Sequence, residues 1–555
     1  MILSLAGTAG QQSKPPDDVR IHGDFVRFAL RSRWWLTTDD ENPNGDVFLF
    51  LTDGATSDRV AEYERCFELF DGNDSQAVDA ARGRWHAYKD AGHRLTYWQQ
   101  TVRGGWKEKG LYGLYAVSAD GRQMRDTPMN RDRHGNPFAP GVPYARGALV
   151  TSTSDDLVKL RTAWKVIKDR WERLGADSLY LLSGLERGLR LDPVDLRIMD
   201  DELASALFID ELTRLGLDHF GGDPAKHDVM VLNRLTAALL VAADVMIKPD
   251  DTVIGVSPRY SHPAVVRAVA HARGNFHDTT GLAEFKAALD AADRVDAVFI
   301  TRLSVSYEIL SERDLRDVVR MAREYGASII VDDAGGARVG PAVFDQPRTL
   351  ELDVDVCATG LDKYGTTGPR LGLLGGRSDI VEQIRCRAFE MGLEARQMLY
   401  PAVVQSLRNY RPERVRELVA TTRIVADELR KRLGGDRLFE TPVTVQLKGE
   451  DILELAMERG DMPDPPVVPY EATSGLAMLL LRNHGIVTVH FAGVPPGTSA
   501  LMFKFVPQDT LARLGGADKL AEAVDDCITE LAEILKRPDD FKSLIMGAGD
   551  RAGED

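Results

Sequence analysis

The 555-residue chain is 44% hydrophobic and 28% charged, an ordinary balance for a globular protein and long enough for two to four domains. No stretch approaches the roughly 18 apolar residues of a membrane span; the longest candidate, Leu235 to Ile247, is shorter and carries Asp244. A formal net charge of −16 repels phosphate backbones unless basic residues concentrate locally, so a nucleic-acid partner, a tRNA-linked substrate included, is disfavoured but left open.

The opening MILSLAGTAG has no basic leader before its apolar residues, which speaks against a secretory signal. Cys66, Cys357, Cys386 and Cys527 are scattered and form no C-x-x-C pair. No disulfide framework or zinc site is therefore expected, a reducing cytoplasm fits, and each cysteine reads as a small buried or half-buried residue.

In chain order, residues 1–120 form a first unit of unknown role. After a polar, Pro-containing tail comes a strand at Val47 to Leu51, then helices over Val60 to Phe70 and Asp79 to Ala91, then a Tyr97, Trp98 and Trp106 cluster. Residues 121–190 read as a linker and a helical segment: Arg125 to Gly147 is rich in Pro, Gly and Asn, with its Arg and His solvated, and Asp155 to Leu174 has a helical pattern. From 191 to 398 short apolar runs (DVMVL, TVIGV, AVFITRL, SIIVDD, VDVCATG) alternate with helices such as Leu282 to Ala291 and Glu312 to Tyr325. This is the signature of an α/β domain with a mostly parallel sheet, whose strand ends hold ligands. Residues 399–545 form a smaller α+β domain. It has a helix from Pro412 to Leu433, strand-like pieces VTVQL, LAMLLL, IVTVHF and LMFKFV, and a helix from Ala517 to Leu535.

Two strand ends carry chemistry. In SIIVDDAGGARVG a buried strand runs into Asp332 and Asp333. A buried carboxylate is costly without a cationic partner, and strand alternation turns one of the pair, Asp332, into the site. In VDVCATGLDKYGTTGPRLGLLGG, Lys363 follows a strand among glycines. A Schiff-base lysine needs such a place, partly desolvated so that its amine can be neutral. The two lie 31 residues apart, one strand–helix–strand step, so adjacent strand ends would present both to one ligand.

VDDAGG followed by T-G-L-D-K and G-P-R-L-G resembles the fold-type-I pyridoxal-phosphate (PLP) enzymes, in motif order most like the bacterial selenocysteine synthase (L-seryl-tRNA selenium transferase) subgroup, over roughly 190 to 540. The resemblance implies an aspartate-aminotransferase-like α/β large domain, with Lys363 holding PLP as a Schiff base and Asp332 on the ring nitrogen. It implies Asn233, Arg234 and Thr236 at a helix start that cradles the phosphate, His262 in Y-S-H-P stacked on the ring, and Ser304 and Ser306 beside the 3′-oxygen or substrate. It further implies a homodimer or larger assembly, a small amine or amino-acid substrate, and no metal. Two departures stand out. The late strand that elsewhere carries a carboxylate-binding Arg has Lys504, leaving Lys504 or Arg370 for that job, and Gly335 stands where many relatives have His. Glu471, His490 and Gly497 are read as structural residues near the pocket. The subgroup points to a lyase or transferase acting by elimination or replacement at Cβ. An aminotransferase is the alternative, and a PLP-fold scaffold or regulator without turnover is a third reading.

Overall fold

The computed structural model describes residues 131–139, 142–189, 196–488 and 497–547, together with short strands and single residues nearer the N-terminus. The chain divides into two compact units, Met1–Gln123 and Met124–Asp555. In the first, strands β1 (Ile2–Leu5), β2 (Trp34–Thr37), β3 (Phe48–Thr52) and β4 (Arg65–Leu69) form a sheet in the order β2-β1-β3-β4. Strands β5 (Tyr97–Gln100) and β6 (Trp106–Lys109) pair antiparallel. The helix expected over Val60 to Phe70 is thus corrected: Arg65–Leu69 is a strand parallel to β3. Val60, Tyr63, Phe67 and Phe70 satisfy a helical spacing, but ladder pairing beside the buried Leu49 and Leu51 wins. Of the helix expected at Asp79 to Ala91, only Arg84 and Tyr88 are described, both helical.

The second unit is built on a seven-stranded sheet. Its strands are β8 (His227–Leu232), β9 (Thr252–Ser257), β10 (Asn275–Thr280), β11 (Ala297–Thr301), β12 (Ser328–Asp332), β13 (Val356–Gly360) and β14 (Gly372–Arg377), in the order β10-β9-β11-β12-β13-β14-β8. Neighbouring strands run parallel from β10 to β13, and β14 is antiparallel to both of its neighbours. Strands buried on both faces explain the unbroken apolar runs in the sequence. The crossing helices that follow β8, β9 and β12 are α3 (Leu235–Met246), α4 (Pro263–His271) and α7 (Gly336–Phe344). This is the aspartate-aminotransferase-like α/β fold, with the carboxyl ends of β8, β9, β12 and β13 on one edge.

The smaller sheet holds β15 (Leu438–Thr441), β16 (Thr444–Lys448) and β18 (Ala500–Lys504). The LAMLLL strand is corrected: those residues complete helix α12 (Pro469–Leu479) and the turn of π-helix after it, buried throughout. A continuous apolar run fits a buried helix as well as a strand. The 121–190 segment contributes to the core packed beside this smaller sheet. Tyr144, Val150, Ala163 and Leu182 pack with the small-domain cluster, and helix α1 (Thr153–Leu174) starts on a Ser152–Asp155 capping box. Arg146 in that segment is corrected from solvated to paired, its guanidinium 3.0 Å from the buried Asp156. Cys386 is corrected to exposed, because it lies on the outer face of helix α8 (Ser378–Met391).

Candidate active site

Asp332 ends β12, paired in register with Ala358 of β13, and Lys363 lies three residues beyond the end of β13. The parallel pairing brings both side chains to one place, close enough for each charge to act on the other. Asp332 is 2% exposed and accepts a hydrogen bond from the Ala334 N–H at 3.2 Å. Burial pushes its carboxyl up to about 6 against the pull of Lys363. Burial also lowers the Lys363 ammonium, against the pull of Asp362 and Asp332. Asp333 turns the other way. Arg302 lies 3.7 Å from it and Thr349 donates to it, both buried, so this carboxylate belongs to the scaffold.

His262 caps α4: its Nδ1 accepts the Ala264 N–H at 3.0 Å, which leaves Nε2 as the protonated nitrogen of the neutral ring. Burial, Lys363, Arg267 and Lys504 push it down to about 3, so it stays neutral. Gly497 borders it, and His490 lies outside the described residues.

At the start of α3, Asn233, Arg234 and Thr236 are exposed, and Arg234 occupies the cap position without a side-chain cap bond, so the helix N-terminus is open. Gly372 of β14 packs on it so closely that a Cβ would sit 2.7 Å from the Arg234 backbone. Arg187 and Arg370 join Arg234 here. Their charges act on one another, and Asp362, 3.8 Å from Arg187, is the acidic neighbour. Burial and the other two arginines push Arg370 down to about 10. Arg370 therefore stands with Arg234, on the anion-binding side. Sequence reasoning misses Arg187, which lies outside the apolar runs that mark the large sheet and carries no motif of its own.

Ser304 and Ser306 spend their hydroxyls inside one turn. They lie 2.8 Å apart, and Ser306 donates to Glu308 at 2.8 Å. The residue of this turn that reaches the site is Tyr307, which bonds both Tyr364 and the Nζ of Lys504. Gly335, in the place of the relatives' His, has no room for a side chain: a Cβ would meet the Tyr364 ring at 2.7 Å. Glu471 accepts the backbone N–H groups of Leu149 and Val150 at 2.6 and 3.0 Å, a structural role in the small domain.

The residues fit a phosphorylated pyridine aldehyde. An open helix N-terminus with three arginines suits a phosphate and a half-buried lysine a Schiff base; a buried carboxyl that has, among the described residues, no side-chain cation in hydrogen-bond contact suits a ring N–H. Among the described residues no group of three or more His, Cys, Asp or Glu could hold a metal ion, and no helix is long and apolar enough to cross a membrane.

Comparison with known proteins gives two separate results. Residues 31–96 match the family described as DNA polymerase III chi subunit, HolC. A "UPF0425 pyridoxal phosphate-dependent protein" of Methanosphaera stadtmanae is 30% identical over 399 residues, covering 71% of this chain and 99% of the relative. One of the same description from Methanothermobacter thermautotrophicus is 29% identical, covering 69% of this chain and 96% of the relative. Among solved structures, an alanine–glyoxylate aminotransferase from Nostoc sp. is 16% identical with a TM-score of 0.44, covering 63% of this chain and 95% of that one.

Proposed function

The chain belongs to the UPF0425 pyridoxal phosphate-dependent family, and from that premise we propose that Lys363 carries the cofactor as a Schiff base and that the protein catalyses elimination or replacement at Cβ of a small amino-acid-like substrate. One observation carries the reading: Asp332 and Lys363 arrive from adjacent parallel strands and act on each other inside one buried edge. The motif order of the selenocysteine synthase subgroup supports the Cβ branch. Lys504 in place of a strand arginine weighs against ordinary α-amino-acid transamination.

When bound, the cofactor supplies an aldehyde for the substrate amine and a ring that withdraws charge from Cα. Arg187, Arg234, Arg370 and the open end of α3 would hold its phosphate. Asp332 holds the proton on the ring nitrogen, because a buried carboxylate favours the charged form beside it. His262, neutral and fixed by its cap bond, would offer its flat face for stacking on the ring. Lys363 would hold the aldehyde and, as a free amine, would serve as the base for the Cα proton. As the family resemblance implies, the site would be completed in a homodimer or larger assembly.

The test is a visible spectrum of the purified protein, followed by incubation with L-serine, L-cysteine and O-phospho-L-serine. The expected result is a Schiff-base band that Lys363→Ala loses, and release of keto acid without build-up of pyridoxamine phosphate. Stoichiometric pyridoxamine phosphate would establish transamination instead, and a stable band with no turnover would favour a scaffold or regulator.

A further inference from the structure

Two lysines reach this site. Lys504, the last residue of β18, is 4% exposed; its Nζ donates to the Tyr307 hydroxyl and lies 4.2 Å from the centroid of that ring. The groups that face it are Lys363 and His262 from the large domain and the phenols of Tyr307 and Tyr364. Among the described residues no carboxylate offsets its charge, and burial together with Lys363 holds its ammonium well below the usual lysine range. Its placement is rigid. Each lysine is followed directly by an aromatic residue with left-handed backbone, Tyr364 and Phe505, both at φ 47°, and these two rings stack at 4.0 Å. Tyr307, at φ 66°, packs against both. Such backbone costs a bulky residue roughly 1–3 kcal/mol and persists where the surroundings over-determine it, typically at functional sites. Three of these residues converge on the two amines.

We propose that Lys504 is a second proton-handling residue: as a neutral amine it takes the surplus proton of the incoming substrate, R–NH3+ plus Lys504–NH2 giving R–NH2 plus Lys504–NH3+. The proposal rests on the reading that Lys363 holds the cofactor. The lone pair freed on the substrate nitrogen is what displaces Lys363. The charge created on Lys504 meets the Tyr307 hydroxyl and ring face, which stabilise a cation without neutralising it. The proton returns when product leaves as an ammonium ion. A carboxylate anchor would behave differently. It would be charged at rest, and its service would be confined to substrates that carry a carboxylate.

Methylamine separates the two roles, because it has the ammonium and lacks the carboxylate. The holoprotein is mixed with methylamine and the displacement of Lys363 is followed by absorbance in wild type, Lys504→Met, Lys504→Arg and Tyr307→Phe. At neutral pH both Lys504 variants slow the displacement at least tenfold while keeping the resting band, and Tyr307→Phe slows it less. The deficit closes toward about pH 10, where alkylamines and lysines lose their own proton. An unchanged rate in Lys504→Met and Lys504→Arg overturns the proposal. Independently, carbamylation of Lys504 by cyanate in the cofactor-free protein, read by peptide mass spectrometry across pH, has its midpoint clearly below the roughly 10.4 of an ordinary lysine. A midpoint at the ordinary value overturns the proposal even if a variant fails to fold. Failure of the underlying reading looks different: the wild type would lack the band, or Lys363→Ala would keep it.

Discussion

The small domain buries two lysines in nearly the same aromatic setting, and they differ in one partner. Lys159 donates to the Tyr470 hydroxyl at 2.7 Å and lies 4.7 Å from that ring's centroid; Lys504 does the same with Tyr307. Lys159 also has Asp156 at 3.3 Å, and Asp156 in turn holds Arg146 and receives the Tyr470 hydroxyl. Lys504 faces the cofactor lysine instead. A carboxylate turns the first lysine into a strap that ties helix α1 to α12. Its absence leaves the second as an amine with chemistry to do. The same fold thus compensates a buried charge where the chain must be held and withholds compensation where a proton must move.

The comparison is broken most severely by removing the carboxylate. Asp156→Asn leaves Lys159 and Arg146 buried without a counter-charge and is expected to cost about 3–5 kcal/mol in urea unfolding. Lys504→Met removes no such counter-charge and is expected to change stability by less than about 1 kcal/mol; equal losses would erase the distinction between the two lysines. On the cofactor side, Gly372→Ala drives a methyl into the backbone at the start of α3 and is expected to cost about 1–3 kcal/mol of cofactor affinity, read by equilibrium binding of pyridoxal phosphate. Arg187→Gln removes one of three cations from that cradle, and a smaller loss, about fivefold or roughly 1 kcal/mol, is expected in the same assay. The mildest effect is in pH dependence. The Asp332 carboxyl, raised from an ordinary 3.8 to about 6, holds more protons folded than unfolded between those values. The cofactor-free protein therefore loses stability as pH rises from about 4 to 6, and Asp332→Asn flattens that part of the melting profile.

The large-domain side was legible because its residues announce themselves locally. Asp332 ends an apolar strand and Lys363 follows one by three residues, and the spacing of one strand–helix–strand step predicts that they meet. His262 stands out in Y-S-H-P as a candidate to stack on the ring, and its capping of α4 emerges only in the structure. Lys504 could be located in a strand, but nothing in its neighbourhood discloses that Tyr307, about 200 residues earlier, carries the hydroxyl it bonds. The hydroxyl-rich turn points to Ser304 and Ser306 rather than Tyr307, yet the turn consumes those two hydroxyls itself. Arg187 follows no pattern because Arg234 and Arg370 meet only after β8 and β14 pair, and Arg187 joins them through the backbone bond from Gly188 to Gly368. The strand at Arg65–Leu69 and the helix over LAMLLL were misjudged for one shared reason: apolar spacing tells which residues are buried, and pairing decides how.

Reduction of the holoprotein with borohydride, followed by peptide mass spectrometry, asks most directly which of the two amines holds the cofactor. The phosphopyridoxyl group is predicted on Lys363, with Lys504 unmodified. A label on Lys504, or none on either, would contradict the assignment of the site.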